Sequence, residues 1–229
     1  MSRSVHPSQP AREATLVAID FESTGSVEGY PIEPWQIGMV KLEQGTVVIE
    51  AGFNRLLRVG DRPFSPYAPG THHQRRDEIA AASTLQELWP ELKTWWLGHA
   101  MVAHNASTET KFIKEAAPLH RIGPWIDTLK IARCLYPDQE SHKLEDLLSA
   151  FNLATRVNTL CPDLEPHDAF YDAVGCAVLL EHFLTLDACA NLTVEQLAGL
   201  HPRTWHRMVR ERGVQYRVGT SKASNKKAQ

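Results

Sequence analysis

The chain has 229 residues, 43% of them hydrophobic, and a formal net charge of −3, which suits one substantial core and a single domain. No run approaches the roughly 18 to 20 apolar residues of a membrane span, and the polar start Met1–Arg12, with two prolines, is unlike a secretory signal, so a cytoplasmic protein is expected. The four cysteines, Cys134, Cys161, Cys176 and Cys189, form neither a CxxC pair nor a dense framework and read as reduced thiols rather than staples or zinc ligands.

Residues 1–13 read as an irregular or disordered start. Leu16-Val17-Ala18-Ile19 is then a short apolar run ending in Asp20, the pattern of a strand buried on both faces. Trp35–Leu42 and Thr46–Ala51, joined through Glu43-Gln44-Gly45, predict an antiparallel hairpin beside it. Ser83-x-x-Gln86 resembles a capping box that opens a helix through Trp95-Trp96-Leu97, with the tryptophans in the core. Met101-Val102-Ala103 predicts a second buried strand, followed by His104-Asn105-Ala106 and a helix over Ser107–Ala117.

Another β/α unit follows, a strand over Pro124–Ile126 and a helix over Asp127–Leu135, and Lys143–Phe151 predicts an amphipathic helix. The longest helix is expected from Asp168 to Leu186, with Ala173, Ala177, Leu180 and Leu184 facing inward. A hairpin cluster followed by alternating strands and helices predicts an α/β layer architecture with a mixed sheet. The domain is expected over 14–190, with short C-terminal helices over 191–216 marked by Thr193-x-x-Gln196 and Pro202. Between Arg203 and Gln229 eight Lys/Arg face one acid, net +7, whereas the preceding part has 16 basic and 26 acidic residues, net −10. That basic segment is expected to engage phosphates or to be a solvated tail, with 217–229 disordered.

Asp20 and Glu22 are two residues apart, so an extended backbone turns both carboxylates to one face. Like charges so close call for a cation, and hard oxygen donors suit Mg²⁺ or Mn²⁺. The setting is Asp20-Phe21-Glu22-Ser23-Thr24-Gly25, followed by Glu33-Pro34-Trp35-Gln36-Ile37-Gly38, His104-Asn105-Ala106, Asp127-Thr128-Leu129, Ser141-His142-Lys143-Leu144 and His167-Asp168-Ala169-Phe170-Tyr171-Asp172-Ala173.

In these motifs the chain, from about Thr15 to Leu186, resembles the DEDDh 3′→5′ exonuclease superfamily, which includes the proofreading subunit of bacterial DNA polymerase, oligoribonuclease and RNase T. The resemblance implies a ribonuclease H-like mixed β-sheet flanked by helices. It also implies two divalent cations on Asp20, Glu22 and Asp172, and His167 as general base on a mobile loop before the helix that carries Asp172. Nucleoside 5′-monophosphates would then be released from single-stranded or frayed 3′ ends of DNA or RNA. By the same resemblance Phe21, Ser23 and Thr24 contact the terminal nucleotide, with the Thr24 backbone near the 3′ hydroxyl. Asn105 is expected either to contact substrate or to cap the following helix. One departure stands out: family members usually carry Asn-Ala-x-aromatic-Asp, and this chain has Asn105-Ala106-Ser107-Thr108-Glu109. Glu109 therefore falls on a metal-ligand position with one extra methylene. An exonuclease is expected; the alternatives are a catalytically weak or inactive nucleic-acid-binding module of the same fold and an RNase H-like endonuclease.

Overall fold

The computed structural model describes residues 5–211; residues 1–4 and the basic stretch from 212 on, including the tail expected over 217–229, lie outside that range. Five strands form one mixed sheet in the order β3–β2–β1–β4–β5. β1 (Leu16–Ser23), β2 (Pro34–Glu43) and β3 (Thr46–Leu56) are antiparallel neighbours, and β4 (Ala100–Ala103) and β5 (Trp125–Asp127) continue the sheet parallel to β1. β1 thus runs on past Asp20 through both acids, and a register shift between Glu22 and Ser23 marks where its pairing becomes irregular.

The helices are α1 (Arg76–Ala81), α2 (Trp89–Trp96), α3 (Ser107–Ala116), α4 (Thr128–Leu135), α5 (Leu144–Ala150), α6 (Ala154–Leu160), α7 (Ala169–Thr185), α8 (Val194–Ala198) and α9 (Pro202–Glu211). The period-two alternation of β1 assigns them to two layers. Leu16 and Ala18 join an apolar cluster with α4 to α8, whereas Val17, Ile19 and Phe21 join a second cluster with α2 and α3. α7 is apolar nearly all round because it fills the first layer, and Ala173, Ala177, Leu180 and Leu184 are buried as expected. Each large aliphatic side chain sealed there contributes about 1.5–3 kcal/mol. Trp96 is fully buried, in line with a core role. No described helix is long and apolar enough to cross a membrane.

The helices depart from expectation in two places. The box at residues 83–86 falls one residue later: Thr84 Oγ1 accepts from the Glu87 N–H at 3.2 Å and Glu87 Oε2 accepts from the Thr84 N–H at 2.8 Å, and the regular helix starts only at Trp89. Helices α1 and α6 were not foreseen, because six or seven residues give too short a window for apolar periodicity. Residues 5–13 are irregular, with one 3-10 turn at Ala11–Glu13, and are held in place: Val5 N–H donates to Gly98 O, Ala11 N–H donates to Leu192 O, and Ala11 is fully buried. The two short C-terminal helices form where Thr193 and Pro202 mark them, α8 opening on a Thr193–Gln196 capping box; α8 contacts β5, and α9 packs on α4.

Candidate active site

Asp20 and Glu22 share the parity of Leu16 and Ala18 and so face the layer that contains α7. Across the sheet Asp20 pairs with Gly38 and Glu22 with Gln36. Both partners seat α7. A Cβ on Gly38 would stand 2.2 Å from the Ala169 carbonyl oxygen, so only glycine lets the helix start lie on the sheet there. The buried Gln36 side chain donates to Asp168 Oδ2 at 2.7 Å and to Asn54 Oδ1 at 3.1 Å, and its Oε1 accepts from the Ala169 N–H at 3.4 Å. Asp168 in turn is the N-cap of α7, accepting from the Phe170 and Tyr171 N–H groups. One helical turn on, Asp172 arrives beside β1.

His167 precedes this cap with φ +69°, and its N–H donates to Asp172 Oδ2 at 3.1 Å. The sequence places it on a mobile loop; the structure holds its backbone and leaves the imidazole 45% exposed, with Nε2 3.5 Å from Glu145 Oε1. Glu22, His167 and Asp172 each offer one ligand atom, and these lie within 4.8 Å of one another. Asp20 and Glu109 fall outside that trio but inside its electrostatic reach, since Glu109, Asp172 and Glu22 all act on Asp20.

Glu109, in the first turn of α3, is only 4% exposed, and its Oε2 has no hydrogen-bond partner among the described residues. The turn that aims it is held by Asp127, whose Oδ1 accepts from the Asn105 N–H at 3.1 Å and caps α4 through the Leu129 and Lys130 N–H groups. Burial, then Glu109, Asp172 and Glu22, push Asp20 well above the usual carboxylate range. Burial and the neighbouring Asp172 raise Glu22 to about 8; burial and Asp127 raise Glu109 to about 8. Asp172 rises to about 6, burial outweighing the His167 N–H that favours its charge. Carboxylates dried and crowded in this way, one with an unpartnered buried oxygen, fit a divalent cation as the missing counter-charge.

The residues expected to touch substrate divide. Phe21 points to the opposite face and packs edge-on against Phe112 at 5.5 Å, so its ring belongs to the core. Thr24 is fully buried. Its Oγ1 accepts from the Glu33 N–H, its own N–H donates to Glu33 O, and its carbonyl accepts from the Ser65 N–H. Ser23 remains half-buried and Asn105 exposed. Asn105 does not cap α3, whose N-cap is Ala106 with no side-chain bond; its Oδ1 accepts from Ser107 Oγ instead.

Sequence reasoning missed Gln36 and Gly38 as seats for α7, Asp127 as the support beneath Glu109, and Glu145 beside His167. It also missed the segment from Leu57 to Arg75. The first three lie inside quoted motifs, and Glu145 follows Ser141-His142-Lys143-Leu144 directly, so their place in those motifs was the available signal.

A family model described as an exonuclease, RNase T, matches residues 17–180. The PolC-type DNA polymerase III of Streptococcus pneumoniae serotype 2 is 31% identical over 176 residues, 75% of this chain and 11% of the relative. That of Streptococcus suis is 32% identical over 178 residues, again 75% and 11%. The chain thus spans 11% of the length of these curated relatives. Among solved structures, the nuclease domain of 3′hExo, a DEDDh family member bound to rAMP, superposes with TM-score 0.63 at 20% identity, covering 81% of this chain and 98% of that one. S. pombe Pop2p in its Mg²⁺- and Mn²⁺-bound form gives TM-score 0.61 at 13% identity, covering 82% and 89%. E. coli exonuclease I with a dT13 oligonucleotide gives 0.56 at 14%, covering 75% and 41%. The fold is therefore the ribonuclease H-like mixed sheet flanked by helices expected from the sequence.

Proposed function

The chain belongs to the RNase T family of exonucleases, and from that membership we propose a divalent-metal-dependent enzyme that removes nucleotides from the 3′ ends of DNA or RNA in the 3′→5′ direction. The observation that carries this reading is the meeting of Asp20, Glu22, Glu109 and Asp172, from three separate segments, in one buried acidic cluster with His167 at its edge.

In this reading Asp20, Glu22, Glu109 and Asp172 hold two cations, Mg²⁺ or Mn²⁺. When bound, these supply charge neutralisation and a more acidic water. His167 accepts the proton of the attacking water on its imidazole, and Glu145, 3.5 Å from Nε2, offsets the imidazolium charge that forms. The new bond is water oxygen to phosphorus, and the bond lost is phosphorus to the 3′ oxygen of the preceding nucleotide. That oxygen takes up a proton as it leaves, and the products are a nucleoside 5′-monophosphate and a shortened strand. Ser23 and Asn105 have the exposure to meet the terminal nucleotide, and Thr24 can contribute the second lone pair of its carbonyl.

The burial of Glu109 against the cluster supports an active enzyme over a binding-only module, because its longer side chain still reaches the electrostatic neighbourhood of Asp20. The exposed Arg203, Arg207 and Arg210 of α9 offer phosphate contacts, extended by the basic residues beyond 211. The likeness to PolC-type polymerases supports a replication or repair setting. The test is mononucleotide release from single-stranded DNA and RNA with Mg²⁺, Mn²⁺ or EDTA, alongside Asp20→Asn and His167→Ala. Metal-dependent release lost in both variants supports the reading; binding of a 3′ strand with no release in either metal selects the binding module.

A further inference from the structure

We propose that the segment joining β3 to α1, Leu57–Arg75, is a positioning element that fixes His167, with Gly70 as its point of contact. The proposal rests on the reading of His167 as the base. The segment contains no strand, and its only helix-like pieces are turns, yet it is anchored at both margins of the site. At the β1 margin the Ser65 N–H donates to Thr24 O at 2.8 Å, and a Cβ on Gly25 would stand 2.7 Å from Ser65 Cβ. At the α7 margin a Cβ on Gly70 would stand 2.8 Å from the His167 carbonyl oxygen and 3.2 Å from the Trp35 ring.

The segment is held on either side of these anchors by a stack rather than by regular structure. His72 lies on Phe64 with centroids 4.8 Å apart and rings 15° from parallel, and meets Trp35 at 6.1 Å. The Arg76 guanidinium sits 3.9 Å from the Phe64 centroid. Arg62, its side chain 2% exposed, pairs with Glu33 Oε2 at 3.1 Å and donates to Pro31 O. Beyond Gly70, Thr71 and Arg75 face Pro162–Asp168 across a cleft of about 440 Å³.

The four acids ride on β1, α3 and α7, whose own supports, Gln36, Gly38 and Asp127, lie outside the 57–75 segment. His167 lies outside any helix or strand in the left-handed region, at φ +69°, where a non-glycine backbone is kept only by its surroundings. Its N–H is held by Asp172; Gly70 closes the carbonyl side. Asp172 Oδ2 holds the His167 N–H and not its carbonyl, so a shift on the carbonyl side acts on the imidazole before it reaches the carboxylates. Misplacement by about 1 Å costs a reacting group up to roughly a hundredfold in rate.

The experiment compares Gly70→Ala, at φ +84°, with Gly29→Ala, at φ +81° and so equally left-handed but with nothing within 4 Å of an added Cβ. Both are assayed for kcat, KM and the Mn²⁺ half-activation concentration, and Gly70→Ala is repeated in a His167→Ala background. The expected result is a kcat loss of roughly tenfold or more in Gly70→Ala, with KM and the Mn²⁺ midpoint within about twofold. Gly29→Ala should keep wild-type turnover, and Gly70→Ala should add nothing to His167→Ala. Wild-type kcat in Gly70→Ala, a Mn²⁺ midpoint that shifts in step with kcat, or a full further loss on top of His167→Ala overturns the proposal. If Gly70→Ala does not fold, His72→Ala replaces it, and the same split is required. His167→Ala with undiminished turnover removes the base assignment itself, whereas an inactive His167→Ala beside a fully active Gly70→Ala removes only the positioning role.

Discussion

Gly38 is the cross-strand partner of Asp20, and the space where its side chain would stand is taken by the Ala169 carbonyl at the start of α7. The residue opposite the first acid thus sets how closely the helix bearing Asp172 approaches it. Gly38→Ala should push that helix start outward, with an overpacking cost of about 1–3 kcal/mol and a fall in kcat. Urea midpoints and mononucleotide release measure both; unchanged stability would show that α7 can retreat freely.

Gln36, paired with Glu22, performs the complementary task through polar contacts. Gln36→Leu keeps much of the volume but leaves Asp168 Oδ2 and Asn54 Oδ1 without their donor. The expected loss is about 1–3 kcal/mol for the stranded groups, with reduced turnover and a KM changed less than kcat. Equal stability in thermal melts would contradict it.

Glu109 poses a choice between stability and metal. Without a cation its buried Oε2 lacks a partner, and its pKa is raised to about 8. Glu109→Gln removes the charge while keeping the shape, so in EDTA at about pH 8.5 it should be more stable than the wild type. Its Mn²⁺ affinity and turnover should fall, by roughly tenfold or more for a lost metal contact. Calorimetric Mn²⁺ titration beside a melt checks the opposed signs, and a variant losing stability in EDTA would refute them.

The raised acids also fix the pH response of the metal-free protein. Glu22 and Glu109 sit at about 8 and Asp172 at about 6 in the folded state, above ordinary carboxylate values near 4. The folded chain therefore holds protons that the unfolded chain has released. This contribution is complete below the unfolded values and is lost as pH rises through the folded ones. In EDTA the melting temperature should drop between about pH 6 and pH 8.5, and saturating Mn²⁺ should raise it most at the upper value, where the ligands give up fewest protons on binding. A metal-free protein more stable at the higher pH would contradict this.

The acids, the long helix and the hairpin beside β1 were legible because each rests on a short-range pattern. Parity places Asp20 with Glu22, apolar density marks α7, and His167 and Asp172 sit within one motif. What escaped depends on contacts between distant segments. Gly38 reads as an ordinary strand glycine until Ala169 is laid on it, and Phe21 reads as a substrate contact until alternation turns it toward Phe112. The Leu57–Arg75 segment carries no periodicity, since its order comes from an aromatic stack and from the carbonyls of Thr24 and His167.

Directional, metal-dependent attack on 3′ ends can be read from one gel. A 5′-labelled oligonucleotide, with its 3′ end free or blocked by a terminal phosphorothioate and inverted nucleotide, is incubated with Mn²⁺ and with EDTA. The free end should give a descending ladder in Mn²⁺ only, and the blocked strand should stay intact. Internal cutting of the blocked strand, or a label released first as a mononucleotide, would contradict it.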